Sequence, residues 1–223
     1  PEKGAQGAGK GEADLAVHSA KDLPTEMPEG VVLAGFLPRA PAWDLLVVRS
    51  GVSMPRRIAT SSPRRRAQLR RIFPEAEWTE IRGNVQTRLR KIAAGEADAS
   101  LMAVAGLHRL GLLHFEGLRF VPIPIRRSVP AAGQGAIGLQ VRSADGPEFA
   151  PLLCARTAEA VYLERAFLAA MGGGCHSATA AHYRNGEVHL YDEATGYRCL
   201  RVPEGVSAEP EGGLQSWIRE QVS

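Results

Sequence analysis

Three arginines stand where arginine is locally unfavourable, since Arg64, Arg65 and Arg66 follow Ser61, Ser62 and Pro63 directly. Serine caps helices and proline fits the first helical turn, so the triplet falls where the positive end of the helix dipole disfavours cations. An anion is the natural compensation. The arrangement recurs at Arg82, Gly83 and Asn84, where Asn84 can cap a helix running through Val85, Leu89 and Ile92, with Arg88 one turn in. Two such openings predict a ligand with several negative charges.

The elements that must position these residues are short. Asp14 to Ser19 reads as a mostly buried strand, followed by a turn through Lys21, Asp22, Leu23 and Pro24. Trp43 to Arg49 is another apolar run. Ile58 to Thr60 leads into a helix from Arg64 to Phe73, Glu77 to Ile81 into a helix from Val85 to Ala94 closed by Gly95, and Ala99 to Ala105 is a strand ending at Gly106. This βαβαβ alternation predicts a parallel, doubly wound sheet with ligands beyond the carboxyl ends of its strands. Ser19 to Asp22, Ser61 to Arg65, Arg82 to Asn84 and Gly106 to Arg109 all fall at that edge. Residues 126–142, interrupted by Pro130, Gly133, Gln134, Gly135 and Gly138, read as a glycine-rich turn between strands or an interdomain crossing. A third unit begins near Thr157 with a helix whose broad apolar face carries Ala160, Val161, Leu163, Ala166 and Phe167. Gly172, Gly173 and Gly174 stop it, so Cys175 falls on a loop. His189 to Tyr191 reads as a strand and Leu214 to Val222 as a terminal helix.

Composition narrows the function classes. The 223 residues can form one large domain or two to three small ones, and 44% hydrophobic with 23% charged residues is ordinary for a globular protein. A net charge of +3 suggests anionic partners without demanding nucleic acid, and aromatic residues at 6% with no recognised nucleic-acid module argue against that class. No apolar span of membrane length and no signal-peptide pattern is seen, so a cytoplasmic protein with no membrane partner is expected. Cys154, Cys175 and Cys199 have neither disulfide-framework nor zinc spacing; they are expected to be thiols, and no metal site is predicted. The glycine-rich opening, Pro1 to Gly11, runs into a strand with no complete element before it, which suggests residues missing from the start.

Several segments in order resemble the porphobilinogen deaminase (hydroxymethylbilane synthase) family: AVHSAKDLP at 16–24, TSSPRRRAQL at 60–69, RGNVQTRL at 82–89, AGLHRLGL at 105–112, PAAGQGAIG at 130–138 and ERAFLAAMGGGC at 164–175. The resemblance implies an α/β fold of three small domains. The first two are doubly wound and resemble type II periplasmic-binding lobes; the third is an α+β cofactor-attachment domain. Expected boundaries are 1–40 with 128–150 for the first, its N-terminal part missing, then 41–127, then 151–223. It implies a transferase that condenses four porphobilinogen molecules into a linear tetrapyrrole in haem biosynthesis, acting as a monomer on a dipyrromethane cofactor thioether-linked to Cys175.

By the same resemblance Ser19, Lys21, Asp22, Thr60, Ser62, Arg64, Arg65, Arg82, Asn84 and Gln134 would bind the cofactor, and Arg82, Arg88 and Arg109 the substrate. Porphobilinogen carries an acetate and a propionate, and the planar guanidinium fork suits carboxylates. Asp22 would be catalytic, stabilising a cationic intermediate and relaying protons; on residue type alone it reads as a turn former. Cys175 on residue type alone is equally a small packed thiol. Cys154 and Cys199 read as structural thiols, and His18 as a hydrogen-bonded strand residue. An anion-binding lobe without catalysis and a nucleic-acid-binding protein are the other classes.

Overall fold

Apolar runs of four to six residues, cut by glycine and proline, form short strands that bury themselves only by pairing. The computed structural model describes residues 13–23, 28–172, 178–206 and 213–222. In chain order the strands are β1 (Leu15–Ser19), β2 (Val31–Phe36), β3 (Asp44–Arg49), β4 (Arg57–Ala59), β5 (Glu77–Thr79), β6 (Ala99–Ala103), β7 (Leu118–Pro122), β8 (Ile137–Arg142), β9 (Ala180–Arg184), β10 (Glu187–Asp192) and β11 (Gly196–Arg201). The helices are α1 (Pro63–Arg70), α2 (Val85–Ala93), α3 (Val104–Arg109), α4 (Ala155–Ala170) and α5 (Leu214–Val222). The chain is mixed α/β, with strands in three sheets ordered β1-β8-β2, β5-β4-β6-β3-β7 and β11-β10-β9.

The second sheet holds the expected alternation. β4 lies between β5 and β6 and runs parallel to both. The path moves one way through α1 and back through α2, so right-handed crossovers put the two helices on opposite faces. Leu69 of α1 packs with Leu46, Val48, Ile58 and Leu101, whereas Leu89 and Ile92 of α2 pack with Val47, Ala59 and Met102. The period of two along β3 sends its neighbouring side chains into different cores. The sheet is nevertheless mixed, because β3 pairs antiparallel with β6 and β7. An apolar run carries no sign of its direction, and antiparallel neighbours need no helical crossover.

The glycine-rich segment is both a turn and a strand. Residues 130–136 turn, and β8 follows as the central strand of the first sheet, antiparallel to β1 and β2. Gly138 makes this packing possible, since a Cβ there would lie 3.1 Å from both Leu23 Cδ1 and Leu33 Cδ1. The third sheet is an antiparallel meander under α4 and α5. α4 is apolar on two sides. Its Val161 packs with Phe36 of the first sheet and with Ala20, Leu23 and Ala136 beside it, and its Leu163 and Phe167 pack with Val188, Leu190 and Ile218. Phe167 also meets Trp217 edge-on at 5.4 Å. Each such fully buried large side chain contributes about 1.5–3 kcal/mol.

Candidate active site

The polar segments come together through one residue that the sequence analysis did not single out. Asp44, fully buried at the start of β3, accepts from Arg65 Nη2 at 2.7 Å and Nε at 3.2 Å, and from Arg64 Nη2 at 3.0 Å. Gln134 Nε2 donates to it at 2.8 Å and Ser128 Oγ at 3.2 Å. Burial alone would push the Asp44 carboxyl up, but the Arg65 and Arg64 guanidiniums outweigh it and hold the group far below the ordinary carboxylate range. The same arginines bind carbonyls, Arg64 that of Val129 and Arg65 that of Leu101 at 3.2 Å. Their position in the first turn of α1 is thus offset from within the protein, and the two side chains are fixed before any ligand arrives.

One carboxylate neutralises only one of two guanidiniums, so the cluster keeps a positive charge. Lys21 adds to it. Burial, and then Arg65, pull the Lys21 ammonium below its usual range, with Asp22 pulling the other way. Arg88, in α2, is lowered by burial and by Arg65, and its buried Nε has no hydrogen-bond partner among the described residues. A buried guanidinium donor left unpaired beside other cations is costly, and a carboxylate would relieve both penalties.

The remaining predicted residues sit around this core. Ser19 ends β1, and Lys21 and Asp22 ride on a single 3₁₀ turn, Ala20–Asp22, with Asp22 exposed. Thr60 is buried after β4 and accepts from the Ser62 amide at 3.2 Å. Ser62 caps α1 by accepting from the Arg65 amide, and Asn84 caps α2 by accepting from the Thr87 amide at 2.9 Å. Arg109 closes α3 and donates to the Gly135 carbonyl at 2.8 Å, joining the second sheet to the glycine-rich turn. Arg82 is not drawn in. It is 83% exposed and pairs with Glu80 at 3.1 Å. Cys175 and Pro24 lie outside the described residues. His18 bonds Gln140 across the first sheet at 2.9 Å, as a strand residue should. Cys199 is exposed, against the expectation of a structural thiol.

A second buried carboxylate sets the height of the Lys21–Asp22 turn. Glu164 of α4 takes a bidentate fork from Arg39 at 2.7 and 3.0 Å, and accepts from the amides of Gly133 at 2.7 Å and Tyr183 at 2.9 Å. Gly133, at φ +72°, presses on the turn, for a Cβ there would lie 3.1 Å from the Lys21 nitrogen. The signals for these missed residues were present but faint. Asp44 opens an apolar run, and Glu164 shares a helical face with Ala160, Val161 and Phe167, where a charge must find a partner.

Fold and site define an α/β protein with a cationic cluster at its strand and helix ends, organised by one buried carboxylate. The family model described as porphobilinogen deaminase, dipyromethane cofactor binding domain, matches residues 6–148. A porphobilinogen deaminase of Roseiflexus castenholzii is 40% identical over 95% of this chain and 73% of its own length. That of Roseiflexus sp. (strain RS-1) is 43% identical over the same shares. That of Sphingopyxis alaskensis is 44% identical over 77% of this chain. The chain belongs to the porphobilinogen deaminase family. It spans 57% of the length of the Sphingopyxis relative.

Proposed function

We propose that this chain condenses four porphobilinogen molecules head to tail into hydroxymethylbilane, releasing ammonia at each step, as a transferase of tetrapyrrole biosynthesis. The observation that carries the reading is the excess of positive charge around Lys21, Arg64, Arg65 and Arg88, with the Arg88 Nε buried and unpaired among the described residues, in a chain of this family. A growing oligopyrrole is a polycarboxylate, and hydrogen bonds to charged groups contribute roughly 1.5–3 kcal/mol each. The residues therefore fit a dipyrromethane as well as its extensions. Thioether-linked to Cys175, that group supplies the terminal pyrrole on which the chain grows.

The protein's own part is to hold carboxylates and to manage charge. Arg88 and Lys21 bind incoming carboxylates, with Arg109, Ser19, Thr60, Ser62, Asn84 and Gln134 around them and Arg82 at the exposed rim. Arg64 and Arg65, braced by Asp44, keep the potential positive without moving. Asp22 faces the opposite demand. When the C–N bond of porphobilinogen breaks, ammonia leaves with the electron pair and the pyrrole becomes cationic. A carboxylate beside it stabilises that charge, and accepts the proton lost when the new C–C bond forms. The reading carries with it three domains at 1–40 with 128–150, 41–127 and 151–223, and a cytoplasmic monomer. No helix among the described residues is long and apolar enough to cross a membrane.

Asp22→Asn tests the mechanism on protein whose Cys175 peptide is shown by mass spectrometry to carry the pyrrolic addition. Single-turnover ammonia release should slow on the order of 10²–10⁴-fold, with an unchanged circular dichroism spectrum. A parental rate would remove Asp22 from the chemistry. An unmodified Cys175 thiol in active enzyme would remove the attachment site.

A further inference from the structure

The face of the third sheet opposite Val188 and Leu190 gathers a set of donors that the proposed reaction does not use. In the β10–β11 pairing His189 lies opposite Cys199 and Glu187 opposite Arg201. Val188 and Leu190 point into the core under α4 and α5, so alternation sends Glu187 and His189 to the other face, together with Cys199 and Tyr197. There one donor atom from each of Glu187, His189 and Cys199 lies within 4.8 Å of the other two. We propose that these three side chains form a binding site for a thiophilic divalent cation of the Zn²⁺ type.

The donor chemistry supports that class. A thiolate, an imidazole and a carboxylate are the three ligand types zinc takes, at about 2.0–2.3 Å each, while Mg²⁺ and Ca²⁺ prefer all-oxygen shells. Donors already within 4.8 Å of one another can close on one ion through side-chain rotation. Three protein ligands leave a fourth position for water. His189 is itself buried, which restricts its ring. Tyr197 steadies the ring through a 2.9 Å bond between its hydroxyl and Nδ1, with the two rings stacked 23° from parallel. Arg184 and Arg201 flank Glu187 across the two pairings and oppose a cation, which sets the affinity below that of an all-thiolate site. Binding forms the metal–sulfur bond as the Cys199 thiol proton leaves to solvent, and it ties β10 to β11. Residues 187, 189 and 199 show no zinc spacing along the chain; only the hairpin register brings them together.

The test reads metal binding alone, so its outcome is independent of the reaction proposed above. Reduced, cofactor-loaded protein is titrated with Co²⁺ and the thiolate-to-cobalt charge-transfer absorbance is followed, with Zn²⁺ competing and a chromophoric chelator giving stoichiometry. One equivalent should bind with the sulfur band, and Zn²⁺ should raise Tm. Cys199→Ser should abolish the band while Cys154→Ser keeps it, and Tyr197→Phe should weaken binding by about 10–100-fold. Glu187→Gln, the mildest change to the hairpin, should lower affinity with the sulfur band retained. A band missing from the parent, or one that survives Cys199→Ser, overturns the proposal.

Discussion

Asp44 shows how one side chain can organise several donors at once. It is fully buried between two guanidiniums, and breaking such a pair leaves uncompensated charge in the interior. Asp44→Asn should therefore destabilise the protein by about 3–5 kcal/mol at neutral pH, measured by urea unfolding. Its folded-state pKa is depressed below the ordinary 3.8, so the stabilisation is complete above that value and is lost as pH falls toward the folded-state value. Parental and Asp44→Asn stabilities should converge in acid. Curves that stay parallel would assign the loss to packing instead of ionisation. The arginines were legible in the sequence because they violate a local rule, but their partner was not. Asp44 lies some twenty residues away, and its burial depends on strand pairing that no local pattern encodes.

At the scale of elements, the glycine-rich turn works as a spacer between α4 and the Lys21–Asp22 turn. Gly133→Ala should cost about 1–3 kcal/mol for its left-handed backbone and should also slow ammonia release, because the new Cβ would lie 2.9 Å from the Ala20 Cβ. Gly51→Ala is the matched control. It too sits at positive φ, but no described atom lies within 4 Å of its added Cβ, so stability should fall with the rate kept. Equal rates in both variants would deny the turn its positioning role. The helices α1, α2 and α5 were readable in the sequence, α2 and α5 close to their observed bounds, whereas α1 ends at Arg70, short of the expected Phe73. β2, β7, β9 and β11 were not, since short strands with mixed faces become distinct only beside a partner.

For the molecule as a whole, Glu164 ties the third sheet to the glycine-rich turn and to the crossing between the first two sheets. It joins α4, the Gly133 amide, Arg39 in the crossing after β2, and both His182 and Tyr183 of β9. Burial would raise its carboxyl, yet the bond to His182 and the charge of Arg39 hold it below the ordinary range. Glu164→Gln should cost about 3–5 kcal/mol. Hydrogen exchange should locate the loss first at β9 and the glycine-rich turn. A uniform loss across all three sheets would mean that Glu164 supports stability without joining units.

Local structure was legible in the sequence alone. Caps, glycine stops and cations at helix starts obey rules that act within a few residues, and the ordered motifs carried the family resemblance. Three things waited for the tertiary structure: the mixed direction of the second sheet, the choice of Asp44 and Glu164 as internal counter-ions, and the meeting of Glu187 and His189 with Cys199. Each depends on strand register or on burial between distant segments, where Coulomb energy in a poorly solvated interior outweighs local preference. For the same reason Arg82, grouped by motif with Arg64 and Arg65, stands apart from them at the surface, paired with Glu80 in water where such a pair adds little.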